Sequence, residues 1–369
     1  MSFEPDEDQQ ELVALVRGLL NQRADSAANR RALESAERFD VGLWRLLCEE
    51  IGIAGMAIPE EFGGAGFTLR EAQLVLEEVG YSLAPSPYLG SVAIAAQAIL
   101  AAGDVDAATR LLPAIAEGSS SAALAWAAPD GRFTPDRVDI RAEDGDGWRL
   151  SGTCGFVLDG ALADVLLVIA QTREGPRLFE VTDPAAVVRE DTPTMDQTLR
   201  LGRLSFDEVP ARPLGTADPA MWETVRALAL TAISAVQAGT ASRALEETVA
   251  YAKQRVQFGR AIGSFQAIKH RLADMHVQVE VARTASRAAS DALAEGAVDR
   301  FELAAIAKAT ASDALEHVAA EMIQLHGGIA ITWEHDAHLV FKRAHSLGQL
   351  FGTAREERER AGSWALASR

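Results

Sequence analysis

Lys253-Gln-Arg-Val-Gln-Phe-Gly-Arg-Ala-Ile-Gly-Ser-Phe-Gln-Ala-Ile-Lys-His-Arg271 is the stretch on which the reading of this chain turns. The protein carries 53 acidic residues against 35 Lys plus Arg, a formal net charge of −18. This stretch nonetheless holds Lys253, Arg255, Arg260, Lys269 and Arg271, and no Asp or Glu. Gly259 and Gly263 break it between two strongly helical runs. Fixed positive charge at a glycine-broken helix junction suits an anionic phosphate, which takes hydrogen bonds from guanidinium groups and from free backbone amides. The acidic remainder of the chain would repel such a ligand, so a basic island here is informative.

Outward from this junction the chain reads as helical. After it, Ile268, Leu272, Met275, Val279 and Ala282 recur at helical spacing, and Leu303, Ile306, Ala314, Val318, Met322 and Leu325 do so on a second long run. Both runs are Ala-rich, which permits close helix–helix packing. Before the junction, from about 120 to 215, helical periodicity fades. Short apolar runs such as Val165–Ile169 and Leu178–Val181 alternate with turn signals such as Asp144-Gly-Asp-Gly147. Residues before 118 return to helical periodicity, including a run over Leu69–Val79 that Thr68 and Glu71 open as a capping box. The expected fold is α+β and mainly α. It has an N-terminal helical domain over 1–118, a middle antiparallel β-domain over 119–216, and a C-terminal bundle of the four-helix type over 217–369 that carries the phosphate site and oligomer contacts.

Composition narrows the function classes. The chain has 369 residues, 48% of them hydrophobic and 24% charged, an ordinary globular balance. An acidic protein is a poor partner for nucleic acid. The N-terminus, Met-Ser-Phe-Glu-Pro-Asp-Glu-Asp, is the opposite of a basic, apolar signal peptide, and no window matches the ~18 apolar residues of a membrane span. Cys48 and Cys154 lie far apart and read as free thiols of a cytoplasmic protein. No Gly-x-Gly-x-x-Gly follows a strand, and no Gly-x-Ser-x-Gly elbow surrounds Ser205 or Ser264. Glu334-His-Asp-Ala-His338 has two His spaced for one helix face, but no Cys joins them, and metal binding is not expected.

Three motifs in order give the chain a family resemblance. They are Ile58-Pro-Glu-Glu-Phe-Gly-Gly-Ala-Gly66, then Arg255-Val-Gln-Phe-Gly259 with Gly263-Ser-Phe-Gln-Ala-Ile-Lys-His-Arg-Leu-Ala-Asp-Met275, then Gln324-Leu-His-Gly-Gly328 followed by Thr332-Trp-Glu-His-Asp336. Together with the helical, β, helical layout they resemble the flavin-dependent acyl-CoA dehydrogenase family over essentially the whole chain. The resemblance implies FAD as cofactor and an acyl-CoA thioester as substrate. It implies that Arg255 contacts the FAD pyrophosphate, with Phe258 and Gln266 beside the cofactor and Thr353 near it. Gln324, Gly327 and Gly328 would approach the ADP part of an FAD held mainly by a neighbouring subunit. Glu334–His338 becomes a loop beside the cofactor, and an electron-transfer flavoprotein becomes the expected electron acceptor.

The resemblance also exposes a gap. In the family a carboxylate removes the proton next to the thioester carbonyl while a hydride leaves the neighbouring carbon for the flavin. The base is usually a Glu just before a Gly-Thr pair near the C-terminus. The matching segment here is Gln349-Leu-Phe-Gly-Thr353, with Phe351 in that place; the alternative position on the first long helix of the C-terminal domain is Ala229. Neither side chain accepts a proton. Glu223 is a substitute six residues before Ala229, but on a helix that is about 240° of rotation and ~9 Å of rise, facing away from where a base is needed. Glu321 is another substitute, expected to face solvent. The flavin-facing segment of the β-domain is matched by Leu124-Ala-Trp-Ala-Ala-Pro-Asp130 and lacks the usual donors, and Phe156 and Leu158 replace a ring-packing Trp-x-Thr.

Actinobacterial members resembling this chain work as α2β2 heterotetramers in sterol side-chain breakdown, one subunit carrying the base. The leading expectation is therefore a base-lacking partner subunit that works with a homologous subunit in steroid catabolism. The alternatives are a self-sufficient acyl-CoA dehydrogenase with a displaced base, as a homo-oligomer, or a binding or scaffold protein that keeps the fold without FAD.

Overall fold

The computed structural model describes residues 4–216 and 218–367. Helices dominate the first third. Helix α1 (Glu7–Arg23) starts at Asp6, whose carboxylate accepts from the Gln9 amide while the Gln9 side chain reaches back to the Asp6 N–H, satisfying two otherwise orphaned donors. Helices α2 (Ser26–Glu34) and α3 (Val41–Leu46) follow, and α3 runs into a π-helical turn over Leu47–Ile51 that ends at Gly52, φ 76°. Helix α4 (Leu69–Ser82) begins at the expected cap: the Thr68 N–H donates to Glu71 Oε2 at 2.9 Å and the Thr68 hydroxyl accepts from the Arg70 N–H. Between α3 and α4, Ile58–Gly66 is a tight connection built on a 3₁₀ turn over Glu60–Phe62. A Cβ at Gly64 would lie 2.0 Å from the Ile58 carbonyl oxygen, so only glycine fits. A buried π-helical segment, Tyr88–Ala96, leads to α5 (Gln97–Ala101) and α6 (Val105–Ala116).

The middle of the chain is a seven-stranded sheet: β1 (Ala122–Ala125), β2 (Arg141–Gly145), β3 (Gly147–Leu158), β4 (Val165–Thr172), β5 (Gly175–Val181), β6 (Val188–Asp191) and β7 (Leu201–Leu214). Strands β4, β2, β3, β7 and β5 pair in a closed ring, with β1 on β4 and β6 on β7. The hairpins at Asp144–Gly147 and Thr172–Gly175 are antiparallel. The sheet differs from the all-antiparallel expectation in two places: β1 runs parallel to β4, and β2 meets β4 in a short parallel bridge. Both pairings join strands far apart in sequence, which no local turn signal can announce. The core of this sheet is Leu150, Leu166–Ala170 and Phe179, all fully buried.

Helix α7 (Pro219–Gln254) leads to a two-residue hairpin, β8 (Val256–Gln257) with β9 (Arg260–Ala261), and then to α8 (Gln266–Ala294), α9 (Arg300–His326), α10 (Ala337–Gln349) and α11 (Ala354–Ala367). Two compact units organise the chain: one holds residues up to Arg30, Gln73–Ala84 and everything from Leu230 onward; the other holds Arg31–Ala72 and Pro85–Ala229.

Within the first unit small residues set the packing. Ala238, Ala282, Ala311 and Ala314 form one fully buried cluster of α7, α8 and α9. Helices α4 and α7 meet backbone to backbone: a Cβ at Gly239 would fall 1.9 Å from Glu77 O, and one at Gly80 2.3 Å from Val236 O. The Thr240 hydroxyl donates to Gly80 O at 3.0 Å across the same crossing. Within the second unit, Arg200 pairs with Asp159 at 2.6 Å, each side chain 5% exposed, and also donates to Glu37 O. Burial pushes the Asp159 carboxyl up, and Arg200 opposes that shift. Cys48 and Cys154 are both buried free thiols. Among the described residues no helix is long and apolar enough to cross a membrane.

Candidate functional site

The junction between α7 and α8 is built by its glycines and its charge. Phe258 and Gly259 have φ 53° and 77°, so the β8–β9 hairpin turns with both central residues left-handed, the type I′ geometry. Glycine adopts this freely; phenylalanine does not, and a bulky residue held there is a real outlier. The Phe258 ring obtains no burial in return, being 92% exposed. It stands edge-on to Phe265 at 6.2 Å, and Arg260 lies over the other ring's centroid at 3.9 Å.

Arg255 sits at the base of the hairpin, exposed, and its backbone carbonyl accepts from the Ile262 N–H. Among the described residues the side chains of Lys253, Arg255 and Lys269 have no hydrogen-bonding or ion-pair partner, whereas Arg271 is paired with Glu321. Helix α8 starts at Phe265 without a side-chain cap, leaving its first amides open beside the exposed Gln266. An uncapped 29-residue helix end, unpaired guanidinium and ammonium groups and a strained exposed ring together have the chemistry of a flavin diphosphate cradle. The residues present therefore fit FAD.

The second motif closes α9. Gln324, Gly327 and Gly328 are exposed. Gly327 ends the helix at φ 66°, ψ −145°, a conformation open essentially to glycine alone, and a Cβ on either glycine would meet nothing within 4 Å. That face is therefore clear for a ligand or another chain to approach. Tyr251, one turn before Arg255, ties the two motifs together: its ring stacks on His326 at 4.3 Å and its hydroxyl donates to His326 O at 3.3 Å. His326 also meets His335 edge-on at 4.7 Å, and its Nδ1 lies 2.8 Å from Met322 O. Burial depresses the His326 pKa.

The motif Glu334–His338 takes a structural part. Asp336 accepts from the Ser26 hydroxyl, from Arg30 at 2.9 Å and from Arg243 at 3.0 Å. His338 stacks on Trp333 at 4.9 Å, and its Nε2 lies 3.3 Å from Trp333 O.

At the positions where the family resemblance expects a base, Phe351 is 3% exposed and Ala229 is fully buried. Phe351 lies in the turn between α10 and α11 at φ 60°. Next to it, Thr353 caps α11: its hydroxyl donates to Glu356 Oε2 at 2.9 Å and accepts from the Glu356 N–H, while its own N–H also donates to that carboxylate. Glu223 is half-buried on α7. Glu321 does not face solvent as expected. Its side chain is 18% exposed and held by two bonds from Arg271, one of them 2.9 Å, because α8 and α9 pack side by side and bring the pair together. Both oxygens of this carboxylate are therefore engaged by the guanidinium. In the sheet, Phe156 is 44% exposed at φ 55° on a bulge of β3, while Leu158 is buried. Trp126 of the Leu124–Asp130 segment is buried edge-on to Trp222 at 6.1 Å.

Sequence reading missed Lys308, whose side chain is fully buried in α9. Its signal was spacing: Ala304, Lys308, Ala311 and Leu315 recur at i, i+4, i+7 and i+11, so the lysine shares the apolar face.

Known proteins supply the comparison. The profile described as "Acyl-CoA dehydrogenase, C-terminal domain" matches residues 227–365, and that described as "Acyl-CoA dehydrogenase, N-terminal domain" matches residues 6–119. Acyl-CoA dehydrogenase IpdE2 of Mycobacterium tuberculosis is 42% identical over 95% of this chain and 95% of its own length. Two solved structures superpose on 98% of both chains. One is a variant of the Tcur3481-Tcur3483 steroid ACAD, with TM-score 0.89 and 35% identity. The other is the ChsE4-ChsE5 complex from Mycobacterium tuberculosis, with TM-score 0.90 and 30% identity. The basic hairpin, the glycine end of α9 and these matches over nearly the full chain agree: the protein belongs to the acyl-CoA dehydrogenase family of FAD-dependent oxidoreductases.

Proposed function

We propose that this chain is the base-lacking subunit of a heteromeric acyl-CoA dehydrogenase, acting with a homologous subunit in an α2β2 complex on a steroid-derived acyl-CoA. One observation carries the reading: the cofactor-side features are kept while both base positions are apolar and buried, Phe351 at 3% exposure and Ala229 at none. Arg255 would hold the pyrophosphate, in a stretch where Lys253 and Lys269 are also unpaired. Phe258 and Gln266 would lie against the cofactor, and Gln324, Gly327 and Gly328 would serve an FAD bound mainly by the neighbouring subunit. Bound FAD supplies a hydride acceptor. The proton would then go to a carboxylate of the other chain, since neither base position here carries one and Glu321 is held by Arg271. Thr353 keeps its hydroxyl on Glu356 and would offer the cofactor at most its remaining lone pair.

The names of the relatives support the finer part. One structural relative is named a steroid ACAD with two chain names, and another is named a complex of two differently named chains. A cytoplasmic location and an electron-transfer flavoprotein as acceptor belong to the same reading. The self-sufficient alternative is weakened by the Arg271–Glu321 pair, which removes one of its two substitute bases.

The test is purification of the chain alone and together with the subunit that co-purifies with it from the native source. The chain alone is expected to hold little FAD and to show no bleaching with an acyl-CoA. The complex is expected to be yellow and to turn over. Yellow, acyl-CoA-reducible protein obtained from this chain alone would overturn the proposal, and a complex that never binds FAD would favour a scaffold.

A further inference from the structure

We propose that Lys308 is a positioning residue that fixes the backbone at residue 351, the family's base position. This rests on the reading of residue 351 given above, but its test does not. Lys308 is fully buried, and its Nζ donates to Ser312 Oγ at 3.0 Å, to Gly352 O at 2.9 Å and to Gly348 O at 3.4 Å. Gly348 is in the last turn of α10, so one bond places a cation on the negative end of that helix. Gly352 follows Phe351 directly. The ammonium group thus bridges the two carbonyls that flank Gln349, Leu350 and Phe351, and the turn folds around it.

The geometry accounts for two facts. Phe351 is held at φ 60°, where a residue with a Cβ is not at rest, and surrounding structure must over-determine such a conformation. A fully buried lysine in an Ala-rich helix needs polar partners on every side, and the 348–352 turn provides two of its acceptors. On α9 the lysine also donates to Ser312, which the Gln237 amide reaches at 3.0 Å from α7. The clamp therefore links the turn to the centre of the helical bundle. It would hold any side chain at position 351 in the same direction, whether Phe or a carboxylate.

The experiment uses the full chain without FAD or partner, so its outcome is independent of the proposed assembly. Fluorine NMR follows fluorophenylalanine-labelled protein, the Phe351 line being the one lost in Phe351→Leu. Hydrogen exchange is measured in parallel. In Lys308→Met the Phe351 line is expected to shift or split while the lines of the other Phe residues stay in place. Amides of 350–353 should exchange at least about tenfold faster with those of α9 unchanged. Ser312→Ala, which leaves both carbonyl bonds intact, should leave the Phe351 line unmoved. An unmoved Phe351 line in Lys308→Met, or exchange rising equally along α9, would overturn the proposal. If Lys308→Met does not fold, Lys308→Gln, which keeps a shorter donor, replaces it. Collapse of both variants would assign the lysine to the bundle rather than to this turn and would equally overturn the proposal.

Discussion

At the scale of single residues, burial decides what each polar group does, and His326 shows this with a sign that can be tested. It is 5% exposed, with Tyr251 from α7 on one face and His335 on its edge, and burial lowers its pKa from the usual 6.5. Below 6.5 the unfolded chain takes up a proton that the folded chain resists, so stability is lost as pH falls from about 6.5 toward the folded value. Replacing His326 by Phe keeps a ring on Tyr251 and removes the titration. We expect the melting temperature of His326→Phe, relative to the parent, to improve steadily as pH is lowered from neutral. His338, also depressed by burial, stays in the variant and leaves a residual slope. Parallel curves for the two proteins would show that His326 is not a titrating contributor. Residue-scale reading of the sequence could not reach this. His326 looks like any other histidine beside a helix end until the ring of Tyr251, 75 positions earlier, is placed on it.

At the scale of elements, the sequence announces what is local and hides what is not. Thr68 and the turn at Asp144–Gly147 appear where capping and turn chemistry put them, because each depends on residues within three or four positions. The parallel β1–β4 pairing, the backbone contact of α4 with α7 at Gly80 and Gly239, and the clamp of Glu321 by Arg271 depend on distant partners and leave no periodic trace. The β8–β9 hairpin lies between these cases. Its glycines were legible, but the left-handed Phe258 was not, because a bulky residue is the last choice for that position. Its exposure and strain argue that something outside the chain covers the ring. Phe258→Gly should therefore leave the stability of the cofactor-free chain within about 1 kcal/mol of the parent, since relieved strain offsets lost chain stiffness. In the FAD-bearing complex the same change should weaken FAD retention about tenfold or more, the value of one well-buried aromatic. Chemical denaturation and flavin release by dilution measure the two effects. Unchanged FAD retention would remove Phe258 from the cofactor site.

At the scale of the whole molecule, the question is whether one substitution separates this chain from an autonomous enzyme. The family was legible because each of its three motifs is a nearly unbroken, chemically distinctive stretch. The division of labour between chains was legible only as gaps, since a missing carboxylate is visible in one sequence and the chain that supplies it is not. Phe351→Glu tests how many gaps matter. A positioned general base is worth about 10²–10⁴ in rate, but only where thioester and cofactor are already held for reaction. The segment Leu124–Asp130 has buried its Trp126 edge-on to Trp222, and Phe156 is the exposed ring where the family resemblance expects a Trp. The new carboxylate would also enter a site that is 3% exposed, so desolvation would raise its pKa and lower stability by roughly 2 kcal/mol or more. The isolated Phe351→Glu chain is accordingly expected to melt earlier than the parent and to show no acyl-CoA-dependent reduction of added FAD. The variant should also give its partner complex no turnover above that of the parent complex. Both are read by anaerobic flavin bleaching. If the isolated variant does bleach FAD with an acyl-CoA, the site is complete except for its base, and the chain is a homomeric dehydrogenase disabled at one residue rather than half of a shared one.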